Sequence, residues 1–170
     1  MGSRHLLLPA LLMLLVAACQ QVTTRSVEPG ETRAGEVPIR MAGPGDAAVV
    51  VEVTINGAGP FEFVLDTGAT LTCVDKALAD ELQLPDAKSF GGIGAIQGTA
   101  GGMSLVSIES LGIGEASAAD LTACTIDLSQ IQDAGLDVRG LLGLNFLKNY
   151  RVTLDFDRGR MMLDDPGAEQ

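Results

Sequence analysis

The chain has 170 residues, of which 46% are hydrophobic, and a formal net charge of −11. This length and apolar content suit one ordinary domain with extensions, and the lack of tryptophan predicts a core of Val, Leu, Ile and Ala. The excess of acidic residues argues against nucleic-acid binding and against electrostatic docking onto anionic lipid.

The first 18 residues have the pattern of an export signal. Arg4 and His5 precede an uncharged apolar run at residues 6–18, whose 13 residues are too few for a lasting transmembrane helix, which needs about 20. The run ends in "VAAC", which resembles the lipobox of bacterial lipoprotein signals. This resemblance implies lipidation at Cys19 and, with Gln20 next, a lipid-anchored outer-membrane protein that faces the periplasm. The alternative is an ordinary signal peptide, cleaved after an A-x-A-like site, in which Cys19 is incidental.

Removal of residues 1–18 leaves 10 basic and 22 acidic residues and also removes His5, the only histidine. A chain without histidine has no Ser-His-Asp or Cys-His catalytic group and no histidine-ligated metal. A hydrolase of this composition must therefore use carboxylates or lysines for acid–base chemistry, and we expect neither a cofactor nor a metal.

Residues 19–46 are polar and rich in proline and glycine, which predicts a flexible tether. The segment "VPIRM" at residues 37–41 is the part of this tether that could form a first strand. We expect the folded domain to span residues 47–164 and an acidic tail to follow at residues 165–170.

The domain begins with a predicted hairpin. Alternating apolar and polar residues at 47–55 predict a half-buried strand, Asn56-Gly57 predicts a turn, and residues 61–66 predict the returning strand. A second strand at residues 70–74 and a helix at residues 76–84 follow.

Short strands also dominate the second half of the domain. Strands are predicted at residues 103–114 and 119–128, after a glycine-rich segment at residues 90–102. A short helix is predicted within residues 140–150, and residues 151–165 predict a closing hairpin. The fold class is therefore mostly β.

One aspartate, Asp66, lies between two apolar strand patterns in "FEFVLDTGATLT". An unpaired carboxylate is costly to bury, so Asp66 either marks a plain turn or is kept there for chemistry. The tripeptide Asp-Thr-Gly is weak evidence alone, but its position between two predicted strands favours the chemical interpretation.

The segment "FVLDTGATLTCV", followed later by "VRGLLGLNFLKNYRVTLDFDRGRMML", resembles the retropepsin-like (retroviral-type) aspartic proteases. It is most similar to the small bacterial members with one Asp-Thr-Gly each, and the resemblance covers roughly residues 47–163. It implies a closed β-barrel, the half-fold of acid proteases. One short helix would follow the active-site strand, and another would lie near the C-terminus.

The resemblance also implies a role for each residue of the motif. Asp66 would be catalytic, and Gly68 would let the backbone approach the carboxylate and donate its N–H to it. Thr67 would supply a hydroxyl that bonds to the opposite loop, and Ala69 is the small residue that usually comes next in the family.

Two further segments would border the substrate according to the same resemblance. Leu141 and Leu142 belong to an apolar segment that packs beside the active-site loop. The glycine-rich segment falls where the family has its substrate-covering flap, and its candidate residues are Gly91, Gly92, Ile93 and Gly94.

Cys73 and Cys124 are the two cysteines that follow Cys19. In an oxidising periplasm they are a candidate disulfide, and the resemblance places Cys73 on a strand that lines the cleft. The alternative is two separately buried thiols, because a sequence does not give the distance between them.

The chain has no second Asp-Thr-Gly or Asp-Ser-Gly, and its domain is too short for the two-lobed, single-chain form of aspartic protease. Because the mechanism needs two carboxylates that share one proton, we expect a homodimer with one Asp66 from each subunit. The predicted function is an aspartic endopeptidase with peptide or protein substrates. The alternatives are a catalytically silent protease-fold lipoprotein that binds peptides or a partner, and a structural lipoprotein with Asp66 in a plain turn.

Overall fold

The computed structural model describes residues 35–87, 89–90, 93–94 and 104–166. The strands in these residues are β1 (Glu36–Ala42), β2 (Ala48–Ile55), β3 (Ala58–Leu65), β4 (Cys73–Asp75), β5 (Ser89–Phe90), β6 (Ile93–Gly94), β7 (Leu105–Ile113), β8 (Ala116–Ile126), β9 (Gly140–Leu142), β10 (Arg151–Asp155) and β11 (Arg160–Asp164). The α-helices are α1 (Lys76–Glu81), α2 (Ser129–Asp133) and α3 (Leu144–Leu147), and a short 3-10 helix spans Pro44–Asp46. Within the described part of the chain, no helix has the length and apolar character needed to cross a membrane.

In the described residues, one sheet has the strand order β10-β11-β1-β2-β3-β9-β4-β8-β7, and a further pairing of β2 with β7 closes it. The six strands from β2 to β7 in this order therefore form a closed barrel, and β1, β11 and β10 extend from it. The predicted mostly β fold with a closed barrel is confirmed, as are the short helices after the active-site strand (α1) and near the C-terminus (α3). Helix α2 was not predicted.

The sheet begins earlier in the chain than the sequence analysis expected. Strand β1 pairs with β2 on one side, where Ile39 faces Val51, and with β11 on the other, where Val37 faces Met161. Residues from Glu36 onward therefore belong to the domain rather than to a tether, and the possible strand at residues 37–41 is present. The proline and glycine residues at positions 43–45 form the turn between β1 and β2. Cys19 and residues 1–34 lie outside the described residues.

The core is built from aliphatic residues of the barrel strands, as the composition predicted. Phe63 on β3 and Phe146 on α3 are fully buried and are the largest side chains in it. Around them pack residues from β2, β7 and β9, including Val53, Ile55, Ile108, Leu111 and Leu142. Because Phe146 belongs to this core, α3 is fixed against the barrel at a point close to the end of β9.

Candidate active site

Asp66 lies where β3 ends, beside the end of β9. These two strands are parallel, with Leu65 facing Leu142, and the backbone N–H of Asp66 donates a hydrogen bond to the carbonyl of Leu142 at 3.0 Å. The apolar strand that precedes Asp66 is thus fixed on both sides by the sheet. Asp66 is the first residue of a loop at residues 66–72, which we call the Asp66 loop.

The carboxylate of Asp66 is held by the backbone of its own loop. The N–H of Gly68 donates a hydrogen bond to Asp66 Oδ1 at 2.8 Å, and the N–H of Ala69 donates to the backbone carbonyl of Asp66 at 3.3 Å. A Cβ on residue 68 would lie only 3.2 Å from Asp66 Oδ1, so glycine suits this close approach. Asp66 itself is half-buried, whereas Thr67 and Gly68 are exposed. The half-buried, hydrogen-bonded carboxylate therefore lies next to the exposed tip of the loop.

The start of α3 fixes the middle of the Asp66 loop. The N–H of Leu144 donates to the carbonyl of Ala69 at 2.8 Å, and the N–H of Asn145 donates to the carbonyl of Thr70 at 3.1 Å. Gly143, just before the helix, passes so close to the loop that a Cβ there would overlap the backbone of Leu71. The Gly-Leu-Asn sequence therefore permits a direct backbone contact between α3 and the loop.

A buried polar network holds the end of the loop. Thr72 is fully buried, and its N–H and hydroxyl both donate to Asn145 Oδ1, at 2.8 and 2.9 Å. The same hydroxyl accepts a hydrogen bond from the N–H of Gly143 at 3.1 Å, and Asn145 Nδ2 donates to the carbonyl of Thr122 on β8 at 2.9 Å. All the polar groups of this contact are thus satisfied. The roles of Thr72 and Asn145 were not predicted from the sequence, although both are polar residues within apolar segments.

The two leucines predicted beside the loop lie on opposite faces of β9. Leu141 is half-buried, whereas Leu142 is fully buried among the core residues. Consecutive residues of a strand point to opposite sides of the sheet, so the two cannot both line an open cleft. The prediction of Leu142 as a cleft residue is therefore wrong for its side chain, and Leu141 stays a candidate.

The predicted flap segment is described only in part. Strands β5 and β6 pair in antiparallel fashion, with Ser89 opposite Gly94 and Phe90 opposite Ile93. Gly91 and Gly92 lie outside the described residues. The role of Gly91, Gly92, Ile93 and Gly94 as a flap stays a prediction.

Cys73 and Cys124 face each other on the neighbouring parallel strands β4 and β8 and are joined as a disulfide, with their Cα atoms 4.4 Å apart. Both residues are buried. Beside the bridge, the N–H of Cys124 donates to the carbonyl of Thr72 at 2.9 Å. The covalent link between β4 and β8 therefore lies one residue beyond the end of the Asp66 loop.

A second carboxylate, Asp75, is buried more deeply than Asp66. It is 5% exposed, its Oδ1 accepts a hydrogen bond from the N–H of Leu128 at 3.3 Å, and its Oδ2 lies 3.9 Å from Arg139 Nε. Arg139 also pairs with Glu81 at 3.0 Å. A buried carboxylate with an arginine and an amide partner is satisfied by the fold itself, so Asp75 connects elements rather than offering a reactive group.

The comparisons with known proteins agree with this geometry. The family model described as "gag-polyprotein putative aspartyl protease" matches residues 51–149, which is more than half of the chain. The chain belongs to this aspartyl protease family. The match begins in β2 and ends just after α3, so it contains the Asp66 loop, the disulfide and the α3 contact. Strands β1, β10 and β11 lie outside it.

Two solved structures that match the chain are protease or protease-like domains. The retropepsin-like aspartic protease from Rickettsia conorii is 19% identical, with a TM-score of 0.52, and the match covers 78% of this chain and 93% of that one. The retroviral protease-like domain of Ddi1 from Leishmania major is 16% identical, with a TM-score of 0.47, and 69% of this chain and 88% of that one are covered. No curated protein matches the sequence. Membership of the aspartyl protease family and the shared retropepsin-like fold suggest protease activity for this chain.

Proposed function

We propose that this member of the aspartyl protease family is an aspartic endopeptidase that works as a homodimer, with one Asp66 from each subunit. The observation that supports it best is the placement of Asp66. The carboxylate is held by the N–H of Gly68 at 2.8 Å beside the exposed residues Thr67 and Gly68, at the start of a loop whose other end is buried. The sequence has no second Asp-Thr-Gly, so the second carboxylate has to come from another copy of the chain.

Two such carboxylates supply both functions that peptide hydrolysis requires. Like charges about 3 Å apart cannot both ionise, so the pair holds one proton. The ionised carboxylate takes a proton from a water molecule as that water attacks the peptide carbonyl. The protonated carboxyl group donates its proton to the carbonyl oxygen, and the tetrahedral species then collapses as a proton passes to the leaving nitrogen. This assignment needs no histidine, which agrees with the composition of the chain beyond His5.

The neighbouring residues would keep the pair in position. The Gly68 N–H restricts the carboxylate to one orientation, and Thr67 is exposed where its hydroxyl can reach the opposite subunit. Preorganised groups of this kind favour reaction because they need no rearrangement when charge moves.

We also propose that the enzyme is exported and anchored by lipid at Cys19, with the membrane bound through lipid alone. Support comes from the basic start, the 13-residue apolar run and the small residues before Cys19. The Cys73–Cys124 disulfide supports export too, because structural disulfides persist mainly in oxidising compartments. Mass spectrometry of the mature N-terminus tests the anchor. An unlipidated N-terminus, or unchanged membrane association of a Cys19→Ala variant, contradicts it.

The test of the activity is Asp66→Asn with Asp80→Asn as the matched control. Both positions are aspartates accessible to solvent, but Asp80 lies on α1, outside the Asp66 loop. We expect Asp66→Asn to abolish cleavage of a peptide library at every pH from about 3 to 7, while Asp80→Asn cleaves as the wild type does. Sedimentation should show the same dimer for all three proteins. Wild type that cleaves nothing, or Asp66→Asn that cleaves normally, would refute the proposal.

A further inference from the structure

One large apolar side chain is exposed beside the Asp66 loop. Among the described residues the large exposed hydrophobic side chains are Met41, Ile131, Leu144 and Phe156. Of these, Leu144 alone belongs to a segment that is hydrogen-bonded to the Asp66 loop, through its N–H to the Ala69 carbonyl at 2.8 Å. Its side chain is 40% exposed, although its helix neighbours Phe146 and Leu147 are buried in the core.

The proposed pair of Asp66 carboxylates determines which part of the chain lies close to the second subunit. If two Asp66 carboxylates meet about 3 Å apart, the two-fold axis passes roughly 1.5 Å from each of them. Residues near that axis necessarily lie near their own copies in the partner, because a two-fold interface uses the same patch on both subunits. The exposed tip at Thr67 and Gly68 is within two residues of the carboxylate, and Leu144 is bonded to the next residue, Ala69. The shared dyad therefore implies that the exposed residues Thr67, Gly68, Thr70 and Leu144, which we call the patch, lie at or near the subunit contact.

The composition of the patch suits contact with a second copy. Its exposed loop residues, Thr67, Gly68 and Thr70, are small and uncharged, and Leu144 adds an aliphatic side chain. The centres of protein interfaces are depleted in charged residues and rich in apolar ones. Covering this uncharged patch with its own copy leaves no unpaired charge at its centre apart from the single negative charge that the two carboxyl groups share.

We propose that Leu144 is an apolar anchor of the dimer, buried against the second copy of the chain beside the two Asp66 loops. The inference rests on the proposed shared-dyad function and adds the side chain that holds the two halves together. Because the interface is symmetric, each substitution at this position acts twice in one dimer.

The test compares Leu144→Asp with Ile131→Asp in the full-length purified chain. Ile131 is the matched control, since it is 41% exposed and lies on α2. Sedimentation velocity over a dilution series should show a dimer dissociation constant raised at least about tenfold by Leu144→Asp and changed less than about twofold by Ile131→Asp. The milder Leu144→Ala should weaken the dimer in the same direction by a smaller factor. Peptide cleavage by Leu144→Ala should be lost on dilution and recovered at high protein concentration.

Two results would overturn the inference while leaving the proposed function in place. One is a Leu144→Asp protein that dimerises as tightly as the wild type. The other is a variant that stays dimeric but has a raised KM, which would assign Leu144 to the substrate instead. Failure of the proposed function gives a different pattern: the wild type cleaves nothing, or Asp66→Asn cleaves normally, while Leu144→Asp still separates a dimer. A wild type that is monomeric at every concentration would overturn both.

Discussion

The disulfide between β4 and β8 should make a large contribution to the stability of this domain. We consider the double substitution Cys73→Ala and Cys124→Ala, which removes the bridge but leaves small side chains at both buried positions. The bridge joins residues 51 apart in sequence, so breaking it releases a long loop in the unfolded chain. The expected effect therefore acts chiefly through the unfolded state.

The chain-entropy relation gives the size of this effect. It predicts about 3 kcal/mol for a closed loop of roughly 15 residues and about 4.7 kcal/mol for one of roughly 100. A separation of 51 residues lies between them, at about 4 kcal/mol. Domains of this size are stable by only about 5–15 kcal/mol, so the loss would be a large part of the total. In thermal unfolding it corresponds to a decrease of roughly 10–20 °C in Tm.

Urea denaturation measures this directly. Three samples are compared: wild type, wild type with reductant, and the double variant. We expect the free energy of unfolding of the wild type to exceed that of the two other samples by about 4 kcal/mol. Reductant should leave the free energy of unfolding of the double variant unchanged. A difference below about 1 kcal/mol, with the bridge verified by mass spectrometry, would refute the entropic argument. Two free thiols in the purified oxidised protein would refute the bridge.

Two further predictions concern the loop support and an ion pair. Replacing Asn145 by Ala leaves two buried groups of Thr72 without an acceptor, so we expect a loss of about 2–4 kcal/mol in urea unfolding. The exposed control Asn149→Ala should change it by less than about 0.5 kcal/mol. Two hydrogen bonds lower the pKa of Asp155 from its ordinary 3.8. The larger effect comes from the Arg158 guanidinium and the smaller from the backbone N–H of Arg158. Since the folded-state pKa is the lower one, this stabilisation exists above pH 3.8 and disappears as the pH falls through the folded-state pKa. The substitution Arg158→Gln should raise the midpoint of the Asp155 titration measured by NMR. An unchanged midpoint would contradict the assignment.

The features that the sequence predicted correctly are those encoded by local pattern. The alternation at residues 47–55 and the Asn56-Gly57 turn predict the hairpin of β2 and β3, because side-chain period and turn chemistry are properties of adjacent residues. The position of Asp66 at the end of β3 followed in the same way. Recognition of the wider fold needed two motifs about seventy residues apart, which only the family resemblance connected.

What the sequence did not predict depends on partners that are distant in the chain. Strand β1 is stabilised by β2 and by β11, and the second of these contacts crosses most of the domain. The sequence predicted β1 only as a possible strand within a tether, because the proline and glycine content around it does not show which strands lie beside it in the fold. The bond between Thr72 and Asn145 joins residues 73 apart, and neither residue is distinctive by itself. Such polar pairs become visible only when the fold brings them together.

The structure fixes both ends of the Asp66 loop within one chain. One end of the Asp66 loop is fixed by the Leu142 carbonyl, and the other by Asn145 and the disulfide at Cys73. Folding of one chain has therefore already ordered the backbone on both sides of the carboxylate, so the proposed dimerisation would have little loop entropy left to remove. Confinement of both chains to one membrane through Cys19 would raise their effective concentration further. In the proposed dimer, a small apolar contact at Leu144 would then be sufficient to bring the two carboxylates together.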